Sequence, residues 1–147
     1  MKIFLGCDHA GINEKDALKE MLISLEYDVE DCGIQQGEKA DYPDISQAVS
    51  DKVLAHENSI GFLICGTGIG ISIKANRNKG IRAAIAYDEF SAQMSKEHND
   101  ANIVCFGART MGEENILKYA QIFLNTEYAG KKQEGERHAK RVAMLDQ

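Results

Sequence analysis

The sequence predicts an α/β domain: a doubly wound, five-stranded parallel sheet with helices on both faces and an extra C-terminal helix. Three observations carry this. Short apolar runs, such as Ile60–Ile64 and Asn102–Phe106, alternate along the chain with segments whose apolar residues recur at helical spacing. Strands separated by helices imply right-handed crossovers, and hence a parallel sheet covered on both sides. The 147 residues contain one proline, no low-complexity tract and no internal repeat, which fits a single domain over 1–147.

Lys2–Gly6 reads as the first strand, and Ile12–Leu25 as an amphipathic helix with Leu18, Met21, Leu22 and Leu25 on one face. Tyr27–Cys32 is a weaker second strand. A loop through Gly33 and Gly37 leads to Asp41-Tyr42-Pro43, where the proline suits a helix start, and Ile45, Val49, Val53 and Leu54 mark that second helix. The third strand is Ile60–Ile64, followed by a short helix over Ile69–Asn76. Ile81–Ala86 is the fourth strand, Glu89–Glu97 the next helix and Asn102–Phe106 the fifth strand. Helices over Glu113–Leu124 and Glu134–Leu145 complete the chain. The expected strand order is 2-1-3-4-5.

Composition narrows the function. A net charge of −6 argues against nucleic-acid binding. No apolar run reaches membrane-spanning length and no leader peptide opens the chain, so a cytoplasmic protein without membrane association is expected. The segment 131–147 is locally basic through Lys131, Lys132, Arg137, Lys140 and Arg141, which suits a small anionic ligand. The four cysteines form no CxxC pair and have no zinc-like spacing with histidine, so neither disulfides nor a metal are expected. Cys32 and Cys105 read as small core residues.

Cys65 stands apart, at the end of the third apolar run and directly before Gly66-Thr67-Gly68-Ile69-Gly70. A thiol at a strand exit, beside backbone N–H groups and the positive end of a helix, is placed to become a thiolate near a bound anion. Two phosphate-binding patterns fail. Gly6–Gly11 has the P-loop spacing, but Ile12 stands where lysine is required, and Ile71 replaces the last glycine of a dinucleotide loop. In a doubly wound sheet, ligands bind beyond the carboxyl ends of the strands. That edge gathers Cys7-Asp8-His9, Cys65–Gly70 and Gly107–Arg109.

Asp8 could equally be a helix cap, with Gly11 permitting close approach to something bound. His98-Asn99-Asp100 could be a plain polar turn. If it is functional, it lies at the opposite sheet edge from Cys65 and must serve a neighbouring subunit. Arg137 and Arg141, four residues apart, share a helix face and form either a solvated tail or a two-armed anion clamp.

Taken in order, Gly6–Gly11, Asp41-Tyr42-Pro43, Cys65–Ser72, His98-Asn99-Asp100, Phe106–Arg109 and Arg137-His138 through Arg141 resemble the type-B ribose-5-phosphate isomerases, a family grouped with galactose- and allose-phosphate isomerases. The resemblance runs nearly end to end. It implies a flavodoxin-like fold, a homodimer or a dimer of dimers with shared sites, a pentose phosphate substrate, and no metal or organic cofactor. It also implies a division by base: a cysteine at the strand exit or a glutamate just after the glycine loop. Here the candidates are Cys65 and Ile71, and isoleucine cannot take a proton.

By the same resemblance, His98 of a neighbour assists ring opening, Cys65 shuttles the C2 proton to C1, and Gly66, Gly68 and Gly70 line the oxyanion site. Thr67 supports the ring oxygen or a hydroxyl, and Asp8 and Asn99 hold sugar hydroxyls. His9, Arg109, Arg137 and Arg141 surround the phosphate. Lys74 stands one turn past the glycine loop, where the pattern has a small residue. A six-carbon sugar phosphate is the competing substrate, and a non-catalytic sugar-phosphate sensor the competing class.

Overall fold

The runs Ile3–Leu5, Phe62–Ile64 and Ile103–Phe106 are at most 1% exposed, so the three strands that hold them must be covered on both faces. In the computed structural model, which describes residues 1–147, they are the centre of one parallel sheet. The strands are β1 (Lys2–Cys7), β2 (Asp28–Asp31), β3 (Ser59–Cys65), β4 (Ala83–Ile85) and β5 (Ile103–Gly107), ordered β2-β1-β3-β5-β4.

The helices are α1 (Ile12–Ser24), α2 (Tyr42–Ala55), α3 (Ile69–Ala75), α4 (Glu89–Glu97), α5 (Ala108–Met111), α6 (Glu113–Leu124) and α7 (Glu136–Leu145). One face is covered by α1, α6 and α4, which pack in that sequence, and the other by α2 and α3. Phe123 of α6 meets Phe62 edge-on, with ring centres 6.0 Å apart.

The expected order 2-1-3-4-5 is wrong at one point: β5 lies between β3 and β4. Burial decides it. β5 is wholly buried, whereas Ala83, Ala84 and Ile85 of β4 are only half-buried and small enough for an edge. The exchange brings Gly107 opposite Cys65, so the β5 exit adjoins the glycine loop directly.

Smaller differences follow local geometry. Leu25 falls at the cap of α1 and is 43% exposed instead of facing the core. The C-terminal helix starts at Glu136, because two 3₁₀ turns (Ala129–Lys131 and Gln133–Gly135) fold the preceding linker on itself. A Cβ on Gly135 would lie 1.8 Å from the Ala129 carbonyl oxygen. The one-turn helix α5 has no signal in the sequence, being too short to show periodicity.

The two sheet edges are treated differently. β2 carries Asp28 and Glu30, and Lys2 of β1 reaches Asp28 at 3.1 Å; a charged edge resists pairing with other chains. β4 carries no charge, but the Asn76 side chain pairs with its edge, accepting from the Ala83 N–H at 2.8 Å and donating to the Ala83 carbonyl at 2.9 Å. The strand borders an apolar groove of about 610 Å³ lined by Ile85, Tyr87, Phe90, Met94 and Leu145, and the Tyr87 and Phe90 side chains are 66% and 71% exposed.

One charge is fully interior. Lys15 of α1 is 0% exposed, and its Nζ donates to both oxygens of Asp31 (3.0 and 2.8 Å) and to the Ile34 carbonyl at 2.8 Å. Asp31 also accepts from the Gly33 N–H at 2.9 Å, so the pair braces the start of the β2–α2 loop. Burial pulls the Lys15 ammonium down, but the bond and charge of Asp31 outweigh it and hold it above its ordinary value. Burial likewise pushes Asp31 up, and Lys15 with the Gly33 N–H overrides it to hold the carboxyl low.

Candidate active site

Two clusters emerge, at opposite ends of the sheet. The first sits where β1, β3 and β5 end together. Cys65 closes β3 and is 5% exposed; the Gly68 N–H donates to its Sγ at 3.1 Å. Cys7 pairs with Ile64 across β1 and β3, which places Asp8 beside Cys65, and the Asp8 N–H donates to the Ile64 carbonyl at 3.2 Å. Asp8 is buried, and its Oδ1 accepts from the Ala10 N–H at 2.9 Å. His9 follows it on the surface.

The glycine loop owes its path to close contacts. Gly68 has φ +81°, the left-handed region that favours glycine, and a Cβ there would come 3.0 Å from the Phe106 backbone. Thr67 Oγ1 accepts from the Ile69 N–H at 3.2 Å and fixes the turn into α3. Arg109 donates its backbone N–H to the Gly66 carbonyl at 3.0 Å, and its side chain lies over Gly66. Packing requires Gly11: a Cβ there would strike Ile64 Cγ2 at 2.5 Å.

Ile71 is buried in the core and takes no part. Lys74 lies in the last turn of α3, where its charge complements the helix end.

Tyr42 is a residue that the sequence showed only as part of a helix start. It opens α2 and its ring walls Gly70, where a Cβ would meet the ring at 2.6 Å. At 40% exposure the ring flanks the loop beside Cys65. Its only signal was the Asp41-Tyr42-Pro43 motif.

The second cluster holds the remaining candidates. His98 caps the C-terminus of α4, and Asn99 follows it towards the start of β5. Pairing of Cys65 with Gly107 and of Gly61 with Ile103 puts that start four residues back, roughly 13 Å along the strands from Cys65. His98 therefore cannot reach the Cys65 of its own chain. It stacks on His138 of α7, ring centres 4.1 Å apart and 15° from parallel. Arg137 and Arg141 flank His138 on the same helix, both exposed and neither ion-paired within the chain.

His138 is the second residue that sequence reading left without a role. Burial, then the neighbouring His98, Arg137 and Arg141, press its imidazole below the ordinary value, while Glu97 opposes them. The native state thus binds fewer protons at His138 than the unfolded chain. That contribution to stability is complete above about pH 6.5 and is lost as pH falls through the lower native value. The urea midpoint is expected to fall more steeply from pH 7.5 to 5.5 in the wild type than in His138→Asn; equal slopes would refute it.

No group of three or more His, Cys, Asp or Glu side chains is arranged as a metal cage, and no helix is long and apolar enough to cross a membrane.

A doubly wound sheet with a thiol and a glycine loop at the exits of its central strands has the architecture of the Rossmann-like α/β class. Comparison with known proteins makes this specific. The model of the Ribose/Galactose Isomerase family matches residues 3–145. Ribose-5-phosphate isomerase B of Escherichia coli is 40% identical over 144 residues, which is 98% of this chain and 93% of that one. The structure of Clostridium thermocellum ribose-5-phosphate isomerase B superposes with a TM-score of 0.92 at 42% identity, covering 99% of this chain and 95% of the other. That of Anaplasma phagocytophilum ribose 5-phosphate isomerase B gives 0.90 at 42%, covering 98% and 95%. The chain belongs to the ribose/galactose isomerase family, and it is an isomerase.

Proposed function

We propose that the chain interconverts ribose 5-phosphate and ribulose 5-phosphate through an enediolate, with Cys65 as the base and without a metal or organic cofactor. The observation that carries this is the Gly68 N–H held on Cys65 Sγ at 3.1 Å, at a strand exit shared with Asp8 and Arg109. The names of the relatives, ribose-5-phosphate isomerase B, support the five-carbon substrate.

The open-chain aldose lies with its C2 proton towards the Cys65 thiolate. Sulfur takes that proton, the C1 carbonyl oxygen gains the charge, and N–H groups of Gly66–Gly70 stabilise it; one such donor is worth about 3 kcal/mol. The thiol returns the proton to C1, the O2 hydroxyl proton passes to O1 and neutralises it, and the C2 ketone forms. Asp8 and Thr67 hold hydroxyls, and His9 and Arg109 receive the phosphate.

The site is completed by a second copy, which supplies His98 for ring opening, Asn99 for a hydroxyl, and Arg137 and Arg141 for the phosphate. Three features support the dimer: the separation of the two clusters, the absence of any acid paired with the arginines, and the apolar groove beside β4.

Turnover of ribose 5-phosphate in EDTA, with allose 6-phosphate and galactose 6-phosphate alongside, tests the reading. Preferential conversion of the pentose is the expected result. A six-carbon preference would overturn the substrate, and no turnover by a folded dimer would overturn the reaction.

A further inference from the structure

Helix α7 is tethered to the rest of the chain at few points. His138 stacks on His98, Val142 is buried, and the 3₁₀ turns pack against the helix. Its side-chain hydrogen bonds to the body of the protein come from one residue. Arg82, just before β4, donates from Nη1 to both oxygens of Asp146, at 3.1 and 3.0 Å. The same guanidinium holds the turn that follows α4. Its Nε donates to the Asp100 carbonyl at 2.9 Å, and Nη2 to Asp100 Oδ2 at 3.4 Å.

Arg82 is itself fixed against the sheet. Its backbone N–H donates to Asn102 Oδ1 at 2.7 Å, and its carbonyl accepts from the Asn102 N–H at 3.1 Å. A rigid planar fork thus grips two segments far apart in sequence: His98-Asn99-Asp100 and the C-terminal end of α7.

We propose that Arg82 is a positioning residue that sets these two segments in register, so that His98, Asn99, Arg137 and Arg141 arrive as one unit in the partner's site. The inference rests on the shared-site reading above, because it assigns both segments to the second copy. Arg82 touches no substrate and acts through Asp100 and Asp146. Partly exposed ion pairs contribute little to global stability, so its removal should act on turnover far more than on unfolding.

The test uses Arg82→Met, Arg82→Lys and Asp146→Asn in the full-length protein, assayed with ribose 5-phosphate. Each variant is expected to raise KM and lower kcat, about tenfold in kcat/KM for Arg82→Met, with a melting temperature close to wild type. Arg82→Met combined with Asp146→Asn should be little worse than Arg82→Met alone, since both break one link. Wild-type kinetics in Arg82→Met would overturn the proposal.

Mixing Arg82→Met with Cys65→Ala then separates action across the dimer from action within a chain. About half of the dimers are mixed, and each mixed dimer has one site with an intact Cys65 and an intact partner segment, so roughly a quarter of the sites recover. No recovery, with mixed dimers present by native mass spectrometry, would overturn it. Should the wild type turn over no sugar, the functional reading fails by itself. Amide exchange in Arg82→Met then decides the positioning: faster exchange at both 98–100 and 136–146 upholds it, and unchanged exchange overturns it.

Discussion

Cys65→Ala is expected to lower isomerisation by about 10³-fold or more, the scale of a positioned acid–base group, while the protein stays folded. The substitution removes one sulfur and leaves the Gly68 N–H without its acceptor, a stability cost of about 1 kcal/mol. No other thiol can take over. Cys7 lies one strand away, and burial, against a weaker pull from the Ile34 bond and Lys15, pushes it up to about 11, so it stays protonated at neutral pH. Burial drives Cys105 further in the same direction. Cys65→Ser keeps an acceptor for Gly68 but offers a hydroxyl that does not ionise, so it should fail as severely as alanine. Steady-state kinetics on both variants make the test, with circular dichroism to confirm folding. Activity within tenfold of wild type in either would remove the thiol from the mechanism.

The largest expected loss of stability belongs to Asp31→Ala. It leaves the Lys15 ammonium fully buried with no carboxylate to accept from it except Asp16, 3.4 Å away and itself 44% exposed. Breaking a buried pair from one side costs roughly 3–5 kcal/mol, a large part of the 5–15 kcal/mol that holds a domain folded. At about 2–4 °C per kcal/mol, the melting temperature should fall by roughly 6–20 °C. Adding Lys15→Met to Asp31→Ala should recover much of the loss, because the stranded charge is gone.

The pH dependence has two limits. Asp31 is held below its ordinary value, so its contribution is present above about pH 4 and lost as pH falls through the native value. Lys15 is held above its ordinary value, so its contribution is present below about pH 10.5 and lost as pH rises through the native value. The stability that this pair contributes in the wild type should therefore be flat across the neutral range. A loss below about 1 kcal/mol at pH 7 in Asp31→Ala would refute the account.

How much of this was legible in the chain depends on distance along it. The helices over Glu89–Glu97 and Glu113–Leu124 have the limits read from the sequence, since periodicity and capping are local signals. The Cys65 cluster was legible because its parts are contiguous and topology alone brings strand ends to one edge. His98 could also be assigned to the far edge, from strand direction. The interleaving of β5 between β3 and β4 was not legible, nor was α5.

Local pattern thus establishes which segments are strands and helices, where the thiol stands, and which end of the sheet each motif occupies, because each depends on neighbours a few residues away. Tertiary structure alone settles which strand is interior and which side chains meet. Lys15 finds Asp31 across 16 residues, His98 finds His138 across 40, and Arg82 finds Asp146 across 64. Such pairs leave no periodic trace. They form when burial chooses one arrangement of the elements, and the free energy of that choice is shared by the whole core.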